Sequence, residues 1–133
     1  MIYGVGTDIV SLSRIARLHK KYGYAFAQRL LSQIELLEFA QAGKPVNFLA
    51  KRFAAKEAFA KAVGTGIRGV VSFYRISVGH TELGQPEFIC EPSLQAWLDE
   101  RGIRQVHLSM SDENDMVQAF AVAEKYFSDG RGK

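Results

Sequence analysis

The stretch Asn47–Gly66, NFLAKRFAAKEAFAKAVGTG, decides how the rest of the chain must fold. Ala, Lys, Leu and Phe dominate it, which predicts a helix from about Asn47 to Val63. Asn47, shortly after Pro45, is the expected N-cap, and Gly64 supplies the left-handed residue that ends the helix. At about 100° per residue, Phe48, Leu49, Phe53, Phe59, Ala60 and Val63 share one wide face. Arg52 and Lys56 project from the middle of that face. Glu57 and Lys61 lie at its border beside Ala50 and Ala54. An ordinary amphipathic helix keeps its charges on the side away from its apolar residues. Here charged groups stand among aromatic and small side chains, and burying them alone costs too much. Two readings stay open. In one, Lys and Arg stems snorkel over apolar surface and Glu57 pairs with Lys61 at i,i+4. In the other the group is a ligand site, and a second acidic residue in a suitable setting would favour it.

Working outward, 133 residues at 47% hydrophobic composition suit a single domain with a real core. Seventeen Lys and Arg against 14 Asp and Glu give a net charge of +3 and a pI near 9.1. That mild excess suits acidic or phosphorylated partners without requiring nucleic acid. The lone Cys90 excludes an intrachain disulfide, and with His19, His80 and His107 it forms no zinc-ligand spacing. There is no apolar run of membrane-spanning length, and MIYGVGTDIV does not read as a signal peptide. A cytoplasmic protein is expected.

Residues 2–10 alternate as a strand, with Tyr3, Val5, Thr7 and Ile9 on one face and Gly4, Gly6, Asp8 and Val10 on the other. The two glycines clear room beside Asp8 for another backbone or a ligand. They are not a dinucleotide fingerprint, since Ile9 stands where a third glycine is needed. Taken alone, Asp8 reads as a cap for the next helix. Ser11 or Ser13 opens that helix, which runs to about Lys21 and stops at Gly23. Its Arg14, Arg17 and Lys21 form a basic stripe, either a solvated face or a dock for an acidic partner. A second helical segment covers about Tyr24–Leu31, and the capping box Ser32-x-x-Glu35 starts a third, reaching Gly43.

Beyond Gly66 the expected order is an irregular Ile67–Ser72, a strand Phe73–Val78, a turn at His80–Gln85 and a returning strand Pro86–Cys90. Cys90 alternates with Phe88 and reads as a small packing residue. Pro92 and Ser93 open a short helix with Leu94, Trp97 and Leu98 in the core. Gln105–Ser111 and Met116–Glu124 form a hairpin around Asp112–Asp115, and 128–133 read as a disordered tail. The whole is one α+β domain, residues 1–127, with helices packed on a mainly antiparallel sheet. If the first strand packs on the central helix, Asp8 and Glu57 converge. Two carboxylates holding a hard divalent ion, with Lys61 one turn away, make a pyrophosphate site. Gly64-Thr65-Gly66 lies at a helix C-terminus, where the dipole repels anions, so as a phosphate loop it is weak and reads better as a cap.

GVGTDIV (Gly4–Val10) with Arg14-Ile15, then FLAKRFAAKEAFAKAVGTG (Phe48–Gly66) and HLSMSDENDMVQAFAVAE (His107–Glu124), together resemble the small 4′-phosphopantetheinyl transferases of the holo-acyl-carrier-protein synthase type. The likeness covers essentially the whole chain in order. It implies that family's fold, and transfer of phosphopantetheine from coenzyme A to a serine of apo acyl carrier protein with release of adenosine 3′,5′-bisphosphate. Asp8 and Glu57 fall on the family's magnesium ligands, and Lys61 on its pyrophosphate-contacting lysine. Phe48, Arg52, Gly64 and Thr65, with Lys61, fall in the coenzyme A-binding region. Arg14 falls on the helix that grips the acidic carrier, with Arg17 and Lys21 in the same stripe. The resemblance also implies a homotrimer with sites between neighbouring subunits. One departure matters: Asp112 stands where many members carry a second histidine. It accepts a hydrogen bond there, or acts as a base only with a raised pKa. Glu57 acting through a metal-bound water is then the preferred base. His107 matches a family position and reads as a buried strand histidine. The rival reading, a basic α+β nucleic-acid-binding module built on Arg14, Arg17 and Lys21, lacks a basic–aromatic motif. Neither nucleic acid nor membrane is an expected partner.

Overall fold

In the computed structural model, which describes residues 1–127, the first strand β1 (Ile2–Ser11) alternates as expected. Gly6 and Val10 are buried, while Tyr3, Val5 and Ile9 are exposed. The tail expected to be disordered, 128–133, lies outside the described residues. The Ser11 hydroxyl accepts from the Arg14 N–H and opens α1 (Leu12–Tyr22), so the cap is Ser11 and not Asp8. Gly23 ends α1, and α2 (Tyr24–Leu30) follows. The capping box of Ser32 and Glu35 is complete and starts α3 (Gln33–Ala40). The central helix α4 (Pro45–Ala62) begins earlier than the expected Asn47. Pro45 takes the first helical position, where its missing N–H costs nothing, and Lys44 caps without a side-chain bond. Gly64 (φ 90°) then turns the chain, and the Thr65 and Gly66 N–H groups both bond the Ala60 carbonyl.

The stretch expected as a strand at Phe73–Val78 divides in two. Phe73–Arg75 is a 3-10 turn, and only Ile76–His80 is strand (β2), pairing with β3 (Pro86–Cys90) in a two-stranded ribbon. The cause is long-range: the Phe73 carbonyl is drawn inward to accept from Lys56 Nζ at 2.9 Å. Helix α5 (Pro92–Glu100) opens at Pro92 as expected, and the Glu91 carboxylate caps it. Leu94 and Leu98 are buried, but Trp97 is only half-buried, with the Arg101 guanidinium 3.8 Å from its ring centroid. It covers the edge of the core instead of filling it. Strands β4 (Ile103–Glu113) and β5 (Met116–Lys125) run longer than expected and leave Asn114 and Asp115 as the turn, Asn114 at φ 56°.

The main sheet has the antiparallel order β1-β5-β4. Helix α4 lies on its inner face against β1 and β5, with α1, α2 and the ribbon around it. That contact is closest at β1. A Cβ on Gly4 would run into the Ala62 carbonyl oxygen. One on Gly6 would meet the Ala58 carbonyl oxygen and stand 2.8 Å from Lys61 Cβ. Small residues continue the pattern, with Ala54, Ala58 and Ala62 of α4 and Ala119, Ala121 and Ala123 of β5 all buried in one core. Helices on an antiparallel sheet, the expected α+β class, are what the chain builds. Among the described residues no helix is long and apolar enough to cross a membrane.

Candidate active site

The close approach of β1 to α4 carries Asp8 to the last turns of the helix. Lys61 Nζ lies 3.3 Å from Asp8 Oδ1 and donates to the Thr7 carbonyl at 2.8 Å. Lys61 therefore turns to β1 rather than to Glu57, the i,i+4 partner that its sequence position offered. Burial raises the Asp8 carboxyl above the usual range, against the pull of Lys61 and Arg14. Burial also raises Glu57, and the charge of Asp8 raises it further. Glu57 thus feels the charge of Asp8, and both feel Lys61 and Arg14: two carboxylates from distant parts of the chain share one charged neighbourhood.

The second oxygen of Asp8, Oδ2, is buried and has no hydrogen-bond partner among the described residues. An orphaned carboxylate oxygen beside a second carboxylate is a mismatch that a hard cation would remove. Magnesium takes one or two protein carboxylates and fills its remaining positions with water and phosphate oxygens. Asp8 and Glu57 fit that donor set. Among the described residues no group of three or more His, Cys, Asp or Glu forms a self-sufficient cage.

Arg14, Arg17 and Lys21 are exposed along α1. Arg14 reaches furthest inward: its charge is felt by both acids, and its guanidinium lies 5.5 Å from the Phe53 ring centroid. Next to this stripe is a feature the sequence reading did not isolate, an apolar cavity of about 380 Å³. Leu18, Tyr22, Phe26, Leu30, Phe53 and Phe73 line it, and Arg29 borders it. Four of those residues lie on α1 and α2, so their spacing was visible. Their convergence with Phe53 and Phe73 was not.

Arg52 and Lys56, the cations in the middle of the apolar face, have their compensating partner in Glu35. Lys56 Nζ donates to Glu35 Oε1 at 2.6 Å, and Arg52 Nε donates to Glu35 Oε2 at 3.1 Å. Burial pushes the Lys56 ammonium down to about 8, against the opposing pull of Glu35. Arg52 also reaches Glu38 at 3.5 Å and lies 4.2 Å from the Phe48 ring centroid. Phe48 in turn packs on Phe39 at 5.7 Å. The residues expected to meet coenzyme A therefore fall into two groups. Phe48 and Arg52 lie toward the start of α4, and Lys61, Gly64 and Thr65 at its end, roughly 14 Å away at 1.5 Å per residue. The Thr65 hydroxyl donates to the Gly66 carbonyl at 2.7 Å.

Asp112 does not join the acid pair within one chain. It lies next to the last residue of β4, two strands from β1 and so displaced by about 10 Å. Its carboxylate lies 3.7 Å from Lys51 Nζ. His107, expected to be buried, is exposed on the outer face of the sheet and bonds Glu124 at 2.8 Å. Among the described residues no helix covers the outer face, and Arg104 also reaches Glu124 there, at 3.0 Å.

The chain matches the 4′-phosphopantetheinyl transferase superfamily over residues 4–124. It is 72% identical over 125 residues to the holo-[acyl-carrier-protein] synthase of Neisseria meningitidis serogroup A, which covers 94% of this chain and 100% of that protein. The crystal structure of holo-[acyl-carrier-protein] synthase from Neisseria meningitidis superposes with a TM-score of 0.92 at 71% identity, covering 94% of this chain and 100% of that one. The holo-(acyl-carrier-protein) synthase of Bacillus anthracis, in complex with CoA (3′,5′-ADP), superposes with a TM-score of 0.79 at 36% identity, covering 95% and 99%.

Proposed function

The chain belongs to the 4′-phosphopantetheinyl transferase superfamily, and we propose that it is a holo-[acyl-carrier-protein] synthase. It transfers 4′-phosphopantetheine from coenzyme A to a serine of apo acyl carrier protein and releases adenosine 3′,5′-bisphosphate. The observation that carries this reading is the buried, unsatisfied Asp8 Oδ2 beside Glu57 and Lys61.

In the reaction the serine oxygen bonds to the phosphorus nearer pantetheine. The bridging P–O bond breaks, and its electron pair leaves with the adenosine bisphosphate. Magnesium held by Asp8 and Glu57 would neutralise the diphosphate and polarise its oxygens. The Lys61 side chain is 51% exposed, so it has freedom to turn from Asp8 to a phosphate and offset the charge on the leaving group. We assign the serine proton to Glu57, by way of water, because burial and Asp8 make it more basic than a free carboxylate. Lys61, Gly64 and Thr65 meet the diphosphate end of coenzyme A. Phe48 meets its nucleotide, with Arg52 fixing the ring from behind. Arg14, Arg17 and Lys21 attract the acidic carrier, and the neighbouring apolar cavity receives one of its apolar side chains.

The uncovered face of the sheet supports an assembly. Tyr3, Val5, Ile9, Met116 and Phe120 are exposed on it together. An apolar sheet face of this kind is covered when copies pack symmetrically, and we propose a homotrimer with sites between subunits. Asp112 then serves the site of a neighbouring subunit.

Mixing the protein with apo carrier protein, coenzyme A and magnesium, and weighing the carrier by mass spectrometry, tests the activity. The carrier should gain the mass of phosphopantetheine. Glu57→Gln and Asp8→Asn should each slow transfer by about a thousandfold while keeping the parent's circular dichroism spectrum. An unmodified carrier, or full activity in either variant, would overturn the reading.

A further inference from the structure

Lys56 is among the largest fully buried side chains of the described residues, and no step of the transfer uses it. Its ammonium spends all three protons, on Glu35 Oε1 at 2.6 Å, the Leu30 carbonyl at 2.7 Å and the Phe73 carbonyl at 2.9 Å. Glu35 is saturated in turn. It accepts from the Ser32 N–H at 3.0 Å, the Val78 N–H at 2.9 Å and Arg52 Nε at 3.1 Å.

Stability alone does not call for a lysine here. A buried ion pair often returns less than its desolvation costs, and apolar residues of like volume do as well or better. Methionine would fill the same space. It could not hold two carbonyls. Those carbonyls belong to Leu30, at the end of α2, and to Phe73, in the 3-10 turn, and both side chains wall the apolar cavity. Phe53, one turn before Lys56 on α4, stacks on Phe73 at 6.0 Å and completes the wall. A single ammonium on α4 therefore fixes the spacing of three separate segments around one cavity.

We propose that Lys56 is a positioning residue for carrier-protein recognition, setting the width of the apolar cavity beside the basic stripe. The inference rests on the carrier-docking reading of α1 and that cavity. Lys56→Met removes both carbonyl anchors together with the ammonium's own bond to Glu35, which stays paired with Arg52 and with the Ser32 and Val78 N–H groups. In the folded variant KM for apo carrier protein should rise about tenfold, the loss expected for one misplaced apolar anchor. KM for coenzyme A, and kcat at saturating carrier, should stay within about twofold. Lys56→Gln, which keeps two donors, should recover part of the loss. Leu18→Glu, on the cavity wall, tests the docking reading itself and should also raise the carrier KM. A rise with Leu18→Glu but none with Lys56→Met overturns the role of Lys56 alone. No rise with Leu18→Glu overturns the docking reading. Equal rises in both KM values, or loss of fold in both Lys56 variants, would assign Lys56 to stability and overturn the inference.

Discussion

Asp8 and Glu57 respond to pH in opposite directions with and without a cation. Burial raises both carboxyls above their ordinary values of 3.8 and 4.5. Without a divalent ion the folded chain keeps these protons to higher pH than the unfolded chain does. Their contribution to stability is therefore complete below those ordinary values and is lost as pH rises through the raised ones. A cation held as proposed would bind the deprotonated pair and add stability by mass action. Magnesium well above its Kd should therefore raise Tm by about 5 °C at pH 7.5 and by almost nothing at pH 4, read by differential scanning fluorimetry. Asp8→Asn should lose that increment and, in chelator at pH 7.5, melt no lower than the parent. A magnesium shift independent of pH would remove these acids from the metal site. These two residues were legible in the sequence because each broke a local pattern, one on a glycine-cleared strand and one on a helix with misplaced charge. Glu35 was not, since its capping box already accounted for it. Nothing local says that the carboxylate closing a helix start also reaches Lys56 and Arg52 on another element.

Packing of β1 on α4 rests on the missing side chains of Gly4 and Gly6. In Gly6→Ala the new methyl meets a helix carbonyl, which is backbone and cannot swing aside. The variant should lose about 3 kcal/mol in urea unfolding, and transfer activity should fall with the displaced Lys61. Gly79→Ala is the matched control. Its methyl would stand 2.8 Å from Ile89 Cδ1, the end of a flexible side chain, and should cost less than about 1 kcal/mol. A Gly6→Ala protein as stable as the Gly79→Ala one would show that the contact is loose. Most elements were legible from periodicity and caps, including the alternation of β1 and the faces of the late hairpin. The misreadings have physical causes. Pro45 starts α4 because a first-turn proline needs no cap at Asn47. Phe73–Arg75 reads as strand by composition but becomes a 3-10 turn because its carbonyl is claimed by Lys56, a contact remote in sequence.

At the level of the whole molecule, the outer face of the sheet leaves Tyr3, Val5, Ile9, Met116 and Phe120 uncovered together in a single chain. Phe120 lies at its middle, paired across to Thr7 and Ser109. If copies pack on this face as proposed, Phe120→Glu should yield monomers by light scattering and reduce transfer at least about tenfold, since charge at the centre of an apolar contact is left without a partner. A parent protein that is already monomeric, or a fully active Phe120→Glu monomer, would defeat the intersubunit site. The pairing of the sheet has a further effect in the cell. In the sheet β1 neighbours β5, with Asp8 opposite Ala119, so the first strand synthesised must wait for the last strand of the described residues. Such long-range closure is slow to reward a growing chain. A nascent polypeptide on the ribosome therefore carries its first acid unseated until translation is nearly finished. Products of premature termination that stop before Met116 would hold that acid on a strand whose sheet partner was never made.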